Sequence, residues 1–290
     1  MQSKWQDLSA LTIVNTRPVE QATGLTKLLE RQGAKVIESP VIEITGLTDT
    51  LNSNLCIKNL NKIDILIFIS ANAVNYFLKL LSTYLLGKKE PDFFPKQLRL
   101  AAVGRSTERV IKQKTQQILG YSIDVDIVPE QGSDSEALLK HSAFNECSGK
   151  KILIVRGQGG REYLAEQLRS RGAQVDYLEV YQRTCPIVKT LKDSRKLLDI
   201  WQKNKIDFII ITSTEGLVNL LTIMGGALNQ LSIKDKEHKN ALSIIAASNI
   251  LVVHQKIAVK ARQLGFMQNI IVAEQANNEA IVEALSRYCK

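Results

Sequence analysis

The sequence predicts an α/β protein of two doubly wound domains, each a parallel sheet of five strands with helices on both faces. Three observations carry this. The chain is written twice: residues 11–45 recur as 151–186, 64–81 as 207–224, 99–111 as 249–261, and 127–139 as 272–285. Short apolar runs rich in Val, Ile and Leu alternate with amphipathic stretches of helical period, the pattern of parallel strands buried on both faces. At 290 residues the chain exceeds one small core, and two units of similar size fit both its length and its duplication.

Residues 11–15 read as the first strand, ended by Arg17-Pro18. Proline in a first turn then opens a helix over 19–32, which Gly33 closes. Val36-Ile37 begins the second strand, and further strands read at 63–70, 98–103 and 123–128, each followed by helical periodicity. The opening unit returns as strand 152–155, helix 161–171, Gly172 and strand 175–181. Strands at 207–212, 250–253 and 270–273 complete a set of ten. Periodicity alone divides the chain near Gly149 into tandem domains. Segments 39–46 and 176–186, however, run on past their strand–helix–strand units and suit connections between domains, which would place the first two strands in the C-terminal sheet.

The apolar content of 44% and charged content of 23% exclude a disordered chain, and the longest apolar runs are strand-sized, so no membrane span is expected. The first residues lack the apolar stretch and cleavage site of a secretory signal, and a cytoplasmic location is expected. Cys56, Cys147, Cys185 and Cys289 form no Cys-x-x-Cys pair and read as reduced thiols. His141, His238 and His254 are far apart, so no metal site is expected, and no nucleophile elbow is present. The net charge of +9 calls for an anionic partner. Its lysines are dispersed, with Lys88-Lys89 and the cluster at 234–239 diluted by acidic residues, and no aromatic-interleaved basic stripe appears. A small polyanion entering a cleft is at least as good a reading as nucleic acid.

Ligands of open parallel sheets bind beyond the carboxyl ends of the strands, where helix N-termini present free N–H groups. The segments there are Thr16-Arg17-Pro18, Ser70-Ala71-Asn72, Gly104-Arg105-Ser106-Thr107, Gly132 to Ser135, Arg156 to Arg161, Thr212-Ser213-Thr214, His254-Gln255-Lys256 and Asn277-Asn278. Each Ser, Thr or Asn alone is explained as a helix cap. As a set they make a surface rich in backbone donors, suited to carboxylates or phosphates. The run Arg156-Gly157-Gln158-Gly159-Gly160-Arg161 lacks the Gly-x-Gly-x-x-Gly spacing and the Walker lysine. It reads either as a carboxylate clamp, whose glycines let a ligand approach the backbone, or as a tight turn with solvated arginines. Tyr181 ends its strand before Gln182-Arg183, where a phenol offers a proton or hydrogen bond, or packs half-buried.

Taken in order, Val14 to Pro18, Phe68 to Val74, Ala102-Val103-Gly104, the Arg156–Arg161 glycine-rich run, Val180 to Arg183 and Thr212-Ser213 resemble the uroporphyrinogen-III synthase family over nearly the whole chain. The resemblance implies two flavodoxin-like domains joined by a two-strand crossover: residues 1–39 plus 187–290, and an inserted 46–176, with linkers at about 40–45 and 177–186. It implies a cofactor-free cyclising hydro-lyase of tetrapyrrole and heme biosynthesis acting on hydroxymethylbilane, an octacarboxylate. It implies Tyr181 as catalytic proton donor. Substrate binding is implied for Arg17, Ser70, Ala71, Asn72, Gly104, Ser106, Thr107, Arg156, Gly159, Gly160, Arg161, Thr212, Ser213, Thr214, His254 and Lys256. A monomer is expected, with transient contact with the preceding bilane-forming enzyme and no nucleic acid, membrane, metal or cofactor. The chain departs from the family's usual residues at Ile69, Arg105 and His254-Gln255-Lys256, where Lys256 keeps a positive charge. A non-catalytic two-lobed protein binding a small polyanion is the alternative reading.

Overall fold

The computed structural model describes residues 5–47, 50–86, 94–187, 197–201, 203–230, 245 and 248–289. His238 and the lysine clusters at 88–89 and 234–239 lie outside the described residues. The first half of the chain runs β1 (Thr12–Asn15), α1 (Val19–Arg31), β2 (Lys35–Glu38), β3 (Glu43–Gly46), α2 (Thr50–Lys58), β4 (Ile65–Phe68), α3 (Ala71–Leu85), β5 (Arg99–Ala102), α4 (Arg105–Leu119) and α5 (Ser135–Leu138). The second runs β6 (Lys151–Gly157), α6 (Tyr163–Ser170), β7 (Gln174–Thr184), β8 (Phe208–Ile211), α7 (Thr214–Gln230), β9 (Asn249–Val252), α8 (Gln255–Gln263), β10 (Ile270–Val272) and α9 (Asn278–Tyr288).

The chain divides into two compact units, Met1–Glu43 with Thr184–Lys290, and Ile44–Arg183. The discontinuous unit holds a sheet in the order β10-β9-β8-β1-β2, and the other a sheet in the order β3-β7-β6-β4-β5. The pairings of β1 with β2 and β8, of β9 with β8 and β10, and of β6 with β4 and β7 are parallel. Each unit therefore combines strands from both copies of the repeat: β1 and β2 pair into the sheet of β8–β10, and β6 and β7 into that of β4 and β5. The step from one unit to the other falls between Glu43 and Ile44 and again between Arg183 and Thr184. Strand β7 runs unbroken through most of segment 177–186.

The elements form for local reasons that the repeat duplicates. In α1, Ala22, Leu25 and Leu29 recur at three- and four-residue spacing and are fully buried, and in α6 the buried set is Leu164, Ala165 and Leu168. Gly33 and Gly172 end these helices at φ 90° and 84°, the left-handed conformation that favours glycine. All four residues of β4 and of β8 are buried, as strands covered on both faces must be. Alternate residues of β4 point to opposite faces. Ile65 and Ile67 join the core with Leu164, Leu168 and Phe144, while Phe68 meets Phe77 of α3 edge-on, 5.3 Å between ring centroids. Burying one such phenylalanine contributes about 1.5–3 kcal/mol.

One expected strand does not form. Residues 123–128 make a single parallel bridge, Ala101 to Ile127, although this is the place that β10 fills in the other unit. The segment stays beside β5 through a few bonds only: Leu100 N donates to the Asp126 carboxylate at 2.7 Å, Asp126 N to Leu100 O at 2.9 Å and Ala102 N to Ile127 O at 2.9 Å. The fifth strand of that sheet is instead β3, at the opposite edge beside β7, where Leu47 N donates to Val180 O at 3.1 Å.

Candidate active site

In the unit Ile44–Arg183 the strand order reverses between β6 and β4, and a crevice beyond the carboxyl ends of strands at such a point is where α/β sheets bind ligands. Ser70 follows β4 and caps α3: its Oγ accepts from Ala73 N at 3.1 Å. The same oxygen lies 3.3 Å from the Tyr181 hydroxyl. A bulge delivers Tyr181 to this place. The β6–β7 register runs Arg156 opposite Glu179 and then Gly157 opposite Tyr181, so one residue of β7 is passed over. Alternation breaks there, leaving both Val180 and Tyr181 buried.

Tyr181 is 4% exposed, and its ring stacks on Tyr76, 5.7 Å between centroids at 26°. Its other neighbour is Gly157, where a Cβ would lie 2.6 Å from Tyr181 Cε2 and Cζ. Gly157 thus makes room for the phenol. The backbone is pinned as well, Gln158 N donating to Tyr181 O at 2.8 Å.

Arg156 is the keystone of the glycine-rich turn. Its side chain is 8% exposed; Nη2 meets Glu179 at 3.0 Å and Nη1 meets Glu162 at 2.9 Å, and Nη1 also reaches Gly160 O. The guanidinium carbon lies 3.6 Å from the centre of the Tyr177 ring. Burial draws the Arg156 pKa down, but the bonds to Glu162 and Glu179 outweigh it and push the value up. Hydrogen bonds from Tyr177 and then Arg156 hold the Glu162 carboxyl below its usual range. With its donors committed, Arg156 organises the turn, and a substrate carboxylate would have to displace glutamate to reach it. Gly159, at φ 71°, and Arg161 are exposed, and Gly160 is half-buried beside Arg156. A cavity of about 190 Å³ brings Arg161 together with Ile69, Val103, Ser135 and Tyr177.

The remaining candidates lie at helix starts. Ala71 and Asn72 open α3; Gly104 precedes α4, whose first turn has Ser106 exposed and Thr107 buried. In the discontinuous unit, the reversal of strand order falls between β1 and β8. Arg17 follows β1, half-buried, and its Nη1 donates to Asn278 Oδ1 at the start of α9. Burial lowers the Arg17 pKa. After β8, Thr212, Ser213 and Thr214 are half-buried, and Ser213 Oγ accepts from Gly216 N at 2.9 Å. His254 and Lys256 are exposed at the start of α8. Tyr181 is therefore against both Ser70 and Gly157, Arg156 holds Gly160 within its own turn, and Arg17, Thr212 to Thr214, His254 and Lys256 lie at strand ends of the discontinuous unit. Sequence reasoning missed Tyr76, Glu162 and Glu179; only the two-residue spacing of Tyr177, Glu179 and Tyr181 hinted that β7 carries a functional edge. Among the described residues no group of three or more His, Cys, Asp or Glu converges as metal ligands, and no helix is long and apolar enough to cross a membrane.

Fold and site define a duplicated α/β enzyme scaffold, with polar helix caps at the strand ends of both sheets and one phenol set among those of the second. The family model described as Uroporphyrinogen-III synthase HemD matches residues 24–283. The chain is 28% identical over 277 residues to the uroporphyrinogen-III synthase of Salmonella typhimurium, covering 95% of this chain and 100% of that protein. It is 34% identical over 173 residues to the uroporphyrinogen-III synthase of Proteus mirabilis, covering 60% and 80% of the two chains. Its fold is similar to a mutant uroporphyrinogen III synthase from the extreme thermophile Thermus thermophilus, with a TM-score of 0.57 at 14% identity over 96% of this chain and 98% of that one. The uroporphyrinogen-III synthetase of Helicobacter pylori 26695 gives a TM-score of 0.53 at 16% identity over 97% and 100%. The chain belongs to the uroporphyrinogen-III synthase family, lyases of porphyrin and heme biosynthesis.

Proposed function

We propose that this chain closes hydroxymethylbilane to uroporphyrinogen III, with Tyr181 as the proton donor. The carrying observation is the Tyr181 hydroxyl, 3.3 Å from Ser70 Oγ at the N-terminus of α3 and beyond the carboxyl end of β4. The Tyr181 proton leaves with the terminal hydroxyl of the bilane as water, and an azafulvenium cation and the Tyr181 phenolate remain. The substituted carbon of ring D attacks it, giving a spiro-pyrrolenine whose fragmentation and reclosure invert that ring. Ring D loses a proton on reclosure, and the Tyr181 phenolate takes it up, so that water is the only co-product. The partial positive charge of the α3 N-terminus favours the phenolate formed in the first step.

An octacarboxylate is held by dispersed contacts in this reading: backbone amides and caps at Ala71, Asn72, Gly104, Ser106, Thr107, Gly159, Gly160 and Thr212 to Thr214, with Arg17, Arg161, His254 and Lys256 supplying charge. Positioning then does most of the work, by folding the bilane so that ring D presents its substituted carbon. We take the discontinuous and the continuous units as the two domains, with the linkers near residues 43 and 184. The protein acts as a cytoplasmic monomer without nucleic acid, and receives its substrate in transient contact with the bilane-forming enzyme. The test is to supply enzymatically generated hydroxymethylbilane and resolve the uroporphyrin isomers after oxidation. Isomer III is expected; isomer I alone, from protein whose far-ultraviolet circular dichroism is that of a folded α/β chain, overturns the proposal.

A further inference from the structure

Each ring of the stacked tyrosine pair in Ile44–Arg183 has a glycine packed close against it. On the Tyr181 side stands Gly157, where a Cβ would come within 2.6 Å of the ring. On the Tyr76 side stands Gly46 of β3, where a Cβ would lie 3.1 Å from Tyr76 Cδ1 and 3.2 Å from Cε1. Close contacts thus run from Gly46 to Tyr76 to Tyr181 to Gly157, across β3, α3, β7 and β6. Tyr76 is anchored within it, its hydroxyl donating to Ile44 O at 2.8 Å. Among the described residues the Tyr181 hydroxyl approaches Ser70 at 3.3 Å, too long a contact to hold a ring by itself. The plane of that ring is held instead by what packs against it, and the aromatic surface stacked on it is Tyr76.

We propose that Tyr76 is a positioning residue for Tyr181: its ring, backed by Gly46 and tethered to Ile44, sets the plane of the Tyr181 phenol so that the hydroxyl meets the departing group. This rests on the reading of Tyr181 as proton donor. A packing tyrosine would serve stability alone, and loss of its ring would act on any activity through unfolding. A positioning tyrosine acts through the Tyr181 hydroxyl, so its effect disappears once that hydroxyl is gone.

The experiment is a double-mutant cycle on the full chain, with kcat and KM for hydroxymethylbilane measured for Tyr76→Leu, Tyr76→Phe, Tyr181→Phe and the Tyr76→Leu/Tyr181→Phe pair. Tyr76→Leu is expected to lower kcat by about 10- to 100-fold with KM within about twofold, as for a misplaced group. Tyr76→Phe keeps the stack and is expected to stay within about threefold of the parent. In the Tyr181→Phe background, Tyr76→Leu is expected to add less than about a twofold loss. Gly46→Ala, which presses on Tyr76 from behind while leaving every aromatic group in place, supplies the same comparison if Tyr76→Leu does not fold. An equal loss in both backgrounds, or no loss in the parent, overturns the proposal for Tyr76 while leaving the donor reading intact. A parent-like kcat for Tyr181→Phe instead overturns the donor reading, and the positioning role with it.

Discussion

Replacing Gly157 by alanine places a methyl carbon 2.6 Å from both Cε2 and Cζ of Tyr181 and 3.0 Å from its hydroxyl oxygen. Carbon atoms in contact settle at about 3.5–4.0 Å, so the ring must retreat by about 1 Å or the β6–β7 bulge must open. The ring is not free to move, because Tyr76 is stacked on it. Overpacking of this kind costs about 1–3 kcal/mol of stability. A displacement of about 1 Å at a reacting group costs about 100-fold in rate, so kcat is expected to fall far more than stability alone explains. The assay is the initial rate of hydroxymethylbilane consumption at saturation, beside a urea unfolding curve for the same preparation. A Gly157→Ala protein with the parent kcat would refute the argument that this contact places the phenol.

Ser213 accepts from Gly216 N at 2.9 Å, so Ser213→Ala is expected to lose about 1 kcal/mol in urea unfolding, and Ser213→Gly only a few tenths of that scale; equal losses would contradict the capping role. The Glu162 carboxyl, held below its usual range by Tyr177 and Arg156, binds its proton less readily in the folded than in the unfolded chain. Its stabilising contribution is therefore complete above its unfolded value, about pH 4.3, and vanishes as pH falls through the lower folded value. Glu162→Gln is expected to flatten that acid limb of the stability curve, and an unchanged limb would show that other carboxylates set it.

The alternation of strand and helix was legible because buried parallel strands such as Ile65–Phe68 and Phe208–Ile211 leave continuous apolar runs, and because the second copy repeats them. The strand expected at 123–128 failed where apolar residues alternate with Asp124 and Asp126, a pattern that suits an edge as well as a loop. Segment 39–46 was legible as a run crossing between domains, but not as the fifth strand of a sheet, because Glu43-Ile44-Thr45-Gly46 is short and polar and forms beside β7 by tertiary pairing. Helix caps were legible one by one, Ser70 and Ser213 among them. The meaning of the glycine-rich run was not. Its first glycine suggested room for a ligand, whereas Gly157 accommodates Tyr181 through a register shift that no local spacing records. The commitment of Arg156 to Glu162 and Glu179 likewise joins residues 6 and 23 positions away, across a turn and between strands.

The central claim, that the scaffold positions the bilane and that Tyr181 supplies the proton, separates into the identity of the product and the rate at which it forms. A single-turnover experiment with Tyr181→Phe in excess over hydroxymethylbilane measures both, with isomers resolved at each time point against the spontaneous background. The predicted result is isomer III forming about 100- to 10,000-fold more slowly than with the parent, the range a positioned general acid contributes. Isomer III forming at the parent rate would contradict the account.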